Sequence, residues 1–482
     1  PKEPSILYAA YTKSAVEEIK PRIPPRVDVR TIHGAGYKVL LNKYGYLPMN
    51  NSRGTQIVSE ITGQPFNKLK DSFKWLSTLR FIEKCKEELL DCTIENCLLL
   101  QSKYDSLVNM SVHSLIPEQA KELIPIMKRI DRKIGIEYID QVWLAIWACT
   151  YPIYDLGIID ECQDLSASRL ALSRQLCSNL VFVGDPDQAI MAFSGADAHA
   201  FDKILAFCDH QLPLKTTFRL PPNIVAKANQ HTPRARLTGL DKPAGKEEQF
   251  SIHELASRIK DACRGSTSNS SSTQSPSPES PSPESLINPF MYNNHMIVCR
   301  YNAPLIECCL KLWKRHIPAT ILGRKLVDNL ISIIDQRKAE TVEDLEFKLD
   351  RYEDMSCRNA PEYIQEVVRD KLACIRYVIS SLKPGAEETP IDPSDESTPP
   401  LSCSITDIKE SLKRLFVVRK NQPHVSLCTI HKAKGAERKN IYILYPPIPS
   451  PRASTPDQKQ QERNLEFVAI TRTLQNLYWV VK

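Results

Sequence analysis

Leu156-Gly-Ile-Ile-Asp160-Glu161-Cys162-Gln163-Asp164 decides the fold. Four apolar residues end in paired acids, the pattern of a buried strand that delivers two carboxylates beyond its carboxyl end. That is where open α/β sheets bind ligands. A second stretch ends the same way, Leu180-Val-Phe-Val183-Gly184-Asp185-Pro186-Asp187-Gln188, with a helix-like segment between the two. Strands alternating with helices predict a parallel α/β sheet. A lone Asp-Glu pair reads equally well as a charged surface loop. Two strands carrying Asp, Glu and Gln to one edge point instead to phosphoryl-transfer chemistry: one acid for Mg²⁺, the next for the attacking water, and an amide to sense a γ-phosphate.

Working outward, Ile6–Ala10 and Val27–Val29 read as further strands, and residues 40–150 carry helical periodicity. After a stretch of Ser, Pro, Thr, Asn, Gln and Glu at 264–285, a strand resumes at Met296–Cys299, followed by helical pattern up to a second polar break near 384–402. The end alternates again: strand Val425–Thr429, strand Ile441–Leu444, a helix around 461–476 and strand Tyr478–Val481. The expected organisation is a first α/β unit over 1–212 with a helical insert at about 40–150. The second covers 213–482, with a disordered linker at 264–285 and a small helical insert at about 337–423.

Composition sets few limits. The 482 residues suffice for two to four domains, and 42% apolar content suffices for real cores. A net charge of +6, from 63 Lys plus Arg against 57 Asp plus Glu, permits nucleic-acid binding without demanding it. None of the 15 cysteines lies in a C-x-x-C pair or in zinc spacing, so reduced thiols are expected. No apolar run approaches the roughly 20 residues that span a bilayer, and no membrane partner is expected.

The segments together resemble the UvrD/Rep/PcrA group of superfamily 1 helicases. Asp160-Glu161-x-Gln163-Asp164 and Val183-Gly184-Asp185-x-x-Gln188 are similar to motifs II and III. Ala10-Tyr11-Thr12-Lys13-Ser14-Ala15 resembles motif Ia, and Thr31-Ile32-His33-Gly34 the next DNA-contacting motif. Thr217-Phe218-Arg219-Leu220 looks like motif IV, and Val298-x-Arg300-x-Asn302-Ala303 like a later motif of the second lobe. Thr429-Ile-His431-Lys-Ala-Lys434-Gly435-Ala-Glu437 is similar to motif V, and Glu462-Arg463-x-Leu465-x-Phe467-Val468-Ala469-Ile470-Thr471-Arg472 to motif VI.

The resemblance implies two RecA-like lobes with ATP in the cleft between them, and Mg²⁺ on Asp160. It implies Glu161 as the water-activating base, Gln188 and Arg219 as γ-phosphate contacts, and Arg472 as an arginine finger. Asp164, Gly184, Asp185, Gly435 and Glu437 would complete the nucleotide site, Glu437 at the ribose. A single DNA strand would cross the tops of both lobes, stacking on Tyr11 and Phe193 while Thr12, Thr31, His33, Thr429 and His431 bond its backbone. Movement would be 3′ to 5′, acting on single strands and single/double-strand junctions, in a monomer or weak dimer with repair or replication partners. The compartment would be the cytoplasm in a bacterium or phage host, and the nucleus in a eukaryote.

The sequence also departs from the family. No G-x-x-x-x-G-K-[ST] occurs in it, and that loop's amides and lysine hold the phosphates. The start at Pro1, close to the Ia-like segment, leads to the expectation of a piece of a longer protein. The alternative is a helicase-like module that binds single-stranded nucleic acid without catalysis. Met191 and Ser194 replace an aromatic and an arginine, Arg438 an aromatic and Leu220 a small polar residue. The short stretch between motifs IV and V leaves little room for a large accessory subdomain, which favours single-strand translocation over unwinding.

Overall fold

The computed structural model describes residues 3–103, 115–190, 200–232, 237–264, 288–358, 360, 362–383, 403–417, 422–445 and 456–482. The chain forms two compact units, Pro1–Leu212 and Pro213–Lys482.

The first unit is built on four parallel strands: β1 (Ile6–Ala10), β2 (Val27–Thr31), β3 (Tyr154–Ile159) and β4 (Cys177–Phe182), in the order β2-β1-β3-β4. Parallel pairing needs crossovers, and helices supply them. Helix α1 (Lys13–Ile19) links β1 to β2. α2 (Ile32–Tyr44) leaves β2, and α7 (Asp140–Ala148) leads into β3, which α8 (Ala167–Leu176) joins to β4. Between α2 and α7 lies the helical insert, α3 (Arg53–Thr62), α4 (Ser72–Glu88), α5 (Ile94–Lys103) and α6 (Leu115–Lys128); α9 (Ala200–Leu205) follows the sheet. All four strands run the same way, so Tyr11, Thr31, Asp160 and Val183 lie at one sheet edge.

One buried charge cluster fixes the insert to α7. Arg53 donates to Asp140 (2.6 Å) and to the carbonyls of Met127 (2.8 Å) and Arg129 (2.9 Å), while Lys86 donates to the other Asp140 oxygen (2.8 Å). Arg53, Lys86 and Asp140 are almost wholly buried. The two cations hold the Asp140 carboxyl below its usual range against the opposing effect of burial, which is the largest single influence.

The second unit opens with the two-residue pair β5 (Thr216–Thr217) and β6 (Thr238–Gly239), separated by α10 (Pro222–Ala228). Its main sheet is six parallel strands, β7 (Glu247–Ser251), β8 (His295–Cys299), β9 (Ala319–Ile321), β10 (Val425–Thr429), β11 (Arg438–Leu444) and β12 (Thr473–Val481), in the order β7-β12-β11-β8-β10-β9. β8 and β10 are buried at every residue, as central parallel strands between helical layers must be. Helices α11 (Leu255–Cys263), α12 (Ala303–Lys314), α17 (Ile430–Ala433) and α18 (Pro456–Thr471) make the crossovers. A small helical group, α13 (Arg324–Arg337), α14 (Val342–Cys357), α15 (Glu362–Leu382) and α16 (Ile405–Leu415), separates β9 from β10. It is tied to the loop after β8 through Asp370, which accepts from the backbone N–H groups of Asn302 (3.1 Å) and Ala303 (2.8 Å).

The α/β class with parallel sheets and helical insertions is the one read from the sequence. Three details differ. Ala319–Ile321 is a strand inside a region read as helical throughout. The last helix runs Pro456–Thr471 and not 461–476, because residues from Thr473 pair with β11 as β12. Strand β7 was not anticipated, since Glu247-Glu-Gln-Phe-Ser251 buries only Phe250. The Ser/Pro-rich stretch read as a linker falls almost wholly outside the described residues, and so does the second polar break.

Candidate functional site

At the strand-end edge of the first unit the acidic residues form one connected chain. Asp160 follows β3 directly, and its carboxylate is oriented by two donors, the Tyr8 hydroxyl of β1 (2.9 Å) and the Glu161 N–H (3.0 Å). Burial, and then Asp160, push the Tyr8 phenol well above its ordinary range, so it stays a donor. Glu161 occupies the left-handed region (φ 55°, ψ 42°). Non-glycine residues there carry strain of roughly 1–2 kcal/mol. The other described non-glycine residues with positive φ lie at or just past helix ends; Glu161 alone among them follows a strand.

Gln163 joins the two strands. Its buried amide donates to Glu161 (2.5 Å), and its carbonyl oxygen accepts from the Asp185 N–H (3.1 Å). Asp185 in turn accepts from the side chain of Gln188 (2.7 Å) and from the N–H of Asp187 (3.0 Å). Gly184 is required here by close approach: a Cβ would sit 2.4 Å from Gln163 Oε1 and 2.6 Å from Cys162 Sγ. Asp164 is buried behind this chain. Among the described residues no group of three or more His, Cys, Asp or Glu could cage a metal alone. The donor set fits Mg²⁺, which takes one or two carboxylates and fills its remaining positions with water and phosphate oxygens.

Beside that chain, at the ends of β1 and β2, lies a pocket of about 290 Å³ lined by residues that include Tyr11, Thr12, Thr31, His33, Tyr138 and Arg169. Thr12 and Thr31 cap α1 and α2, accepting from Ala15 (3.2 Å) and Gly34 (3.1 Å); the Thr12 hydroxyl also shares a hydrogen bond with that of Ser14 (3.0 Å). Arg169 lies over the Tyr11 ring and donates to its hydroxyl (3.3 Å). His33 is stacked on Tyr138 with centroids 4.1 Å apart. Burial, helped by Arg169, pushes the His33 imidazole down to about 3, so the ring is neutral. Tyr138 and Arg169 were not identified from sequence: the first sits in a stretch legible only as helical insert, the second in a crossover helix. Phe193, Met191 and Ser194 lie outside the described residues.

In the second unit the structure gathers Arg219, Glu437 and Arg472 at the carboxyl end of α18. Arg219 is ion-paired with Glu437 and donates to the Thr471 carbonyl (3.2 Å). Arg472 donates to the Val468 carbonyl (3.0 Å) and the Thr471 hydroxyl (3.0 Å). Both guanidiniums meet the negative end of one helix dipole. Their exposures differ sharply: Arg219 is 35% exposed, Arg472 only 2%. Gly435, at φ 83°, makes the turn between α17 and β11 with open space around its α-carbon. Thr429 and His431 flank the end of β10, and burial lowers His431 to about 4.

Comparison with known proteins finds one match within each unit. The UvrD/REP helicase N-terminal domain model matches residues 153–208, and the UvrD-like helicase C-terminal domain model matches residues 335–482. The F-box DNA helicase protein 1 of Schizosaccharomyces pombe is 27% identical over 255 residues, 46% of this chain and 27% of that protein. The 5'-3' DNA helicase ZGRF1 of Mus musculus is 28% identical over 112 residues, 20% of this chain and 6% of that protein. The matched regions thus span under a third of either relative's own length.

Proposed function

The chain belongs to the UvrD/Rep-like helicases of superfamily 1, and from that premise we propose that it is an ATP-driven DNA helicase or translocase acting on single-stranded DNA. The observation that carries the reading is the hydrogen-bonded run Asp160–Glu161–Gln163–Asp185–Gln188 along one sheet edge. Asp160 would hold Mg²⁺, which when bound offsets phosphate charge. Glu161 accepts a proton from water, held in place by Gln163, and Gln188 senses the phosphate. The resemblance gives Arg219 and Arg472 the role of phosphate-neutralising cations, and of the two Arg219 is the exposed one.

Single-stranded DNA enters the reading through the first-unit pocket, where Tyr11 and Tyr138, the latter backed by the buried His33, offer ring faces and Thr12, Thr31 and Arg169 offer polar groups. We propose 3′ to 5′ movement, action at single/double-strand junctions, and partners in repair or replication. The relatives are eukaryotic, which favours the nucleus. No described helix is long and apolar enough to cross a membrane.

A second reading, a non-catalytic single-strand binding module, rests on the first-unit pocket of Tyr11, Thr12, Thr31 and Arg169, whose ring and polar groups need no nucleotide to hold a strand. Phosphate release with and without oligothymidylate separates the two. DNA-stimulated hydrolysis that Glu161→Gln abolishes supports the motor. Strand binding without hydrolysis by the wild-type chain puts the binding module in its place.

A further inference from the structure

Helix α2 joins two surfaces of the first unit. Its start lines the pocket at Thr31–His33; its end, thirteen residues and about 20 Å further on, reaches Tyr44. Around that far end the structure gathers cations and exposed rings. Lys43 donates to the carbonyl of Ala148 (3.1 Å), which places it beside Trp147. Lys128 lies 4.2 Å from the Trp147 ring centroid. Arg132 Nη2 is 3.5 Å from where a Cβ on Gly45 would stand, next to Tyr46, and Arg129 and Lys133 flank it in the same exposed turn. Tyr46, Trp147 and Tyr151 are 75%, 60% and 71% exposed, values unlike those of core aromatics.

The charge on this face is unbalanced. Among the described residues none of Lys43, Lys128, Arg129, Arg132 or Lys133 has a carboxylate within ion-pair reach, and the adjacent acid, Asp131, is turned to the backbone N–H of Lys133 (2.7 Å). Some exposed cations elsewhere, Arg22 and Arg258 among them, are paired with neighbouring glutamates; what sets this face apart is that its unpaired cations lie among exposed rings. Five uncompensated cations interleaved with three solvent-facing rings fit a partner that offers both regular negative charge and flat apolar faces. A protein acid patch offers only the first, and a duplex hides its base faces.

We infer that this face is a second binding surface for single-stranded nucleic acid, with Lys128, Arg129, Arg132 and Lys133 on phosphates and Tyr46, Trp147 and Tyr151 stacking on bases. It rests on the single-strand reading but is separate from the Tyr11–His33 pocket. A strand long enough to leave the pocket engages it; a short one does not.

The test is fluorescence anisotropy of the chain with labelled oligothymidylates of about 4 and about 30 nucleotides, the bottom of the usual site-size range and well beyond its top. The variants are Lys128→Glu/Arg132→Glu/Lys133→Glu and, independently, Tyr46→Ala/Trp147→Ala. All five side chains are exposed, and circular dichroism checks that the variants fold. Both variants are expected to weaken the long strand at least about tenfold while sparing the short one. The triple variant also flattens the salt dependence by about 2 in log–log slope, at roughly 0.7 per lost phosphate contact. Unchanged long-strand affinity in both variants overturns the inference alone. Wild-type chain that binds neither strand overturns the single-strand reading as well. Loss confined to duplex DNA or phosphatidylserine vesicles, with the long strand unaffected, also overturns it.

Discussion

In the first unit Asp160, Glu161, Asp185 and Gln188 stand half exposed around the buried Gln163, linked into one run by side-chain and backbone N–H hydrogen bonds. In the second, the two arginines are unequal. Arg219 is open to solvent on one side and balanced by Glu437, whereas Arg472 is spent on the end of its own helix. The acidic edge is held in place by its own hydrogen bonds; of the two arginines only Arg219 is exposed. A residue's place in a motif therefore states what it can do chemically, while burial states whether it is available to do it.

The largest effect should come from the acidic edge. Glu161→Gln is expected to lower DNA-stimulated ATP hydrolysis by at least about 100-fold, the scale of a lost general base. Glu161→Gly should be equally inactive yet more stable by up to about 1 kcal/mol, since glycine relieves the left-handed strain. Urea unfolding of the two variants compares them directly. If the glycine variant is no more stable than the glutamine one, the strain account fails.

Next comes the arginine contrast. Arg472→Ala strips buried carbonyl and hydroxyl partners and should destabilise by about 2–3 kcal/mol, as for a buried charged hydrogen-bond donor. Arg219→Ala, at a half-open ion pair, should cost less than about 1 kcal/mol. Equal losses in unfolding midpoint would erase the distinction between the two. Gly184→Ala is expected to cost about 1–3 kcal/mol through overpacking, because Gln163 and Cys162 are both buried and cannot move aside.

Legibility in the sequence follows the same division. β1 and β10 were readable to the residue, and β3, β8 and β11 to within a few, because buried parallel strands are continuous apolar runs ending in turn or acidic residues. β9 was too short to stand out among helical neighbours, and β7 too polar. Thr473–Asn476 could belong to helix or strand by pattern; the β11 partner decides it. Among candidate site residues, the acidic run was visible because its chemistry and its strand-end position coincide. Tyr138 was not, because only the fold of the insert, clamped by Asp140 and Glu137, brings it against His33.

The smallest predicted effect tests whether the cationic edge responds to pH through its supporting helices. Glu466 of α18 lies 3.4 Å from His231, just past α10, and both are mostly buried. Burial raises the Glu466 carboxyl to about 7, with Lys227 opposing, while burial and then Lys227 lower His231. Near pH 6 the contact is thus largely uncharged. An acid whose folded-state pKa lies above its unfolded value stabilises the fold fully below the unfolded pKa, near 4.5, and loses that contribution as pH rises toward 7. His231 acts in the opposite sense: its contribution is present above its ordinary pKa and fades as pH falls. Glu466→Gln stays uncharged, so it should remove the decline, on the order of 1 kcal/mol, in second-unit stability between pH 5 and 7. It should leave the first unit's profile unchanged. A wild-type second unit that gains stability across that window would show instead that Glu466 is ionised and paired with a protonated His231. The arginine edge would then rest on a charged buttress, as the first unit's insert rests on Arg53, Lys86 and Asp140.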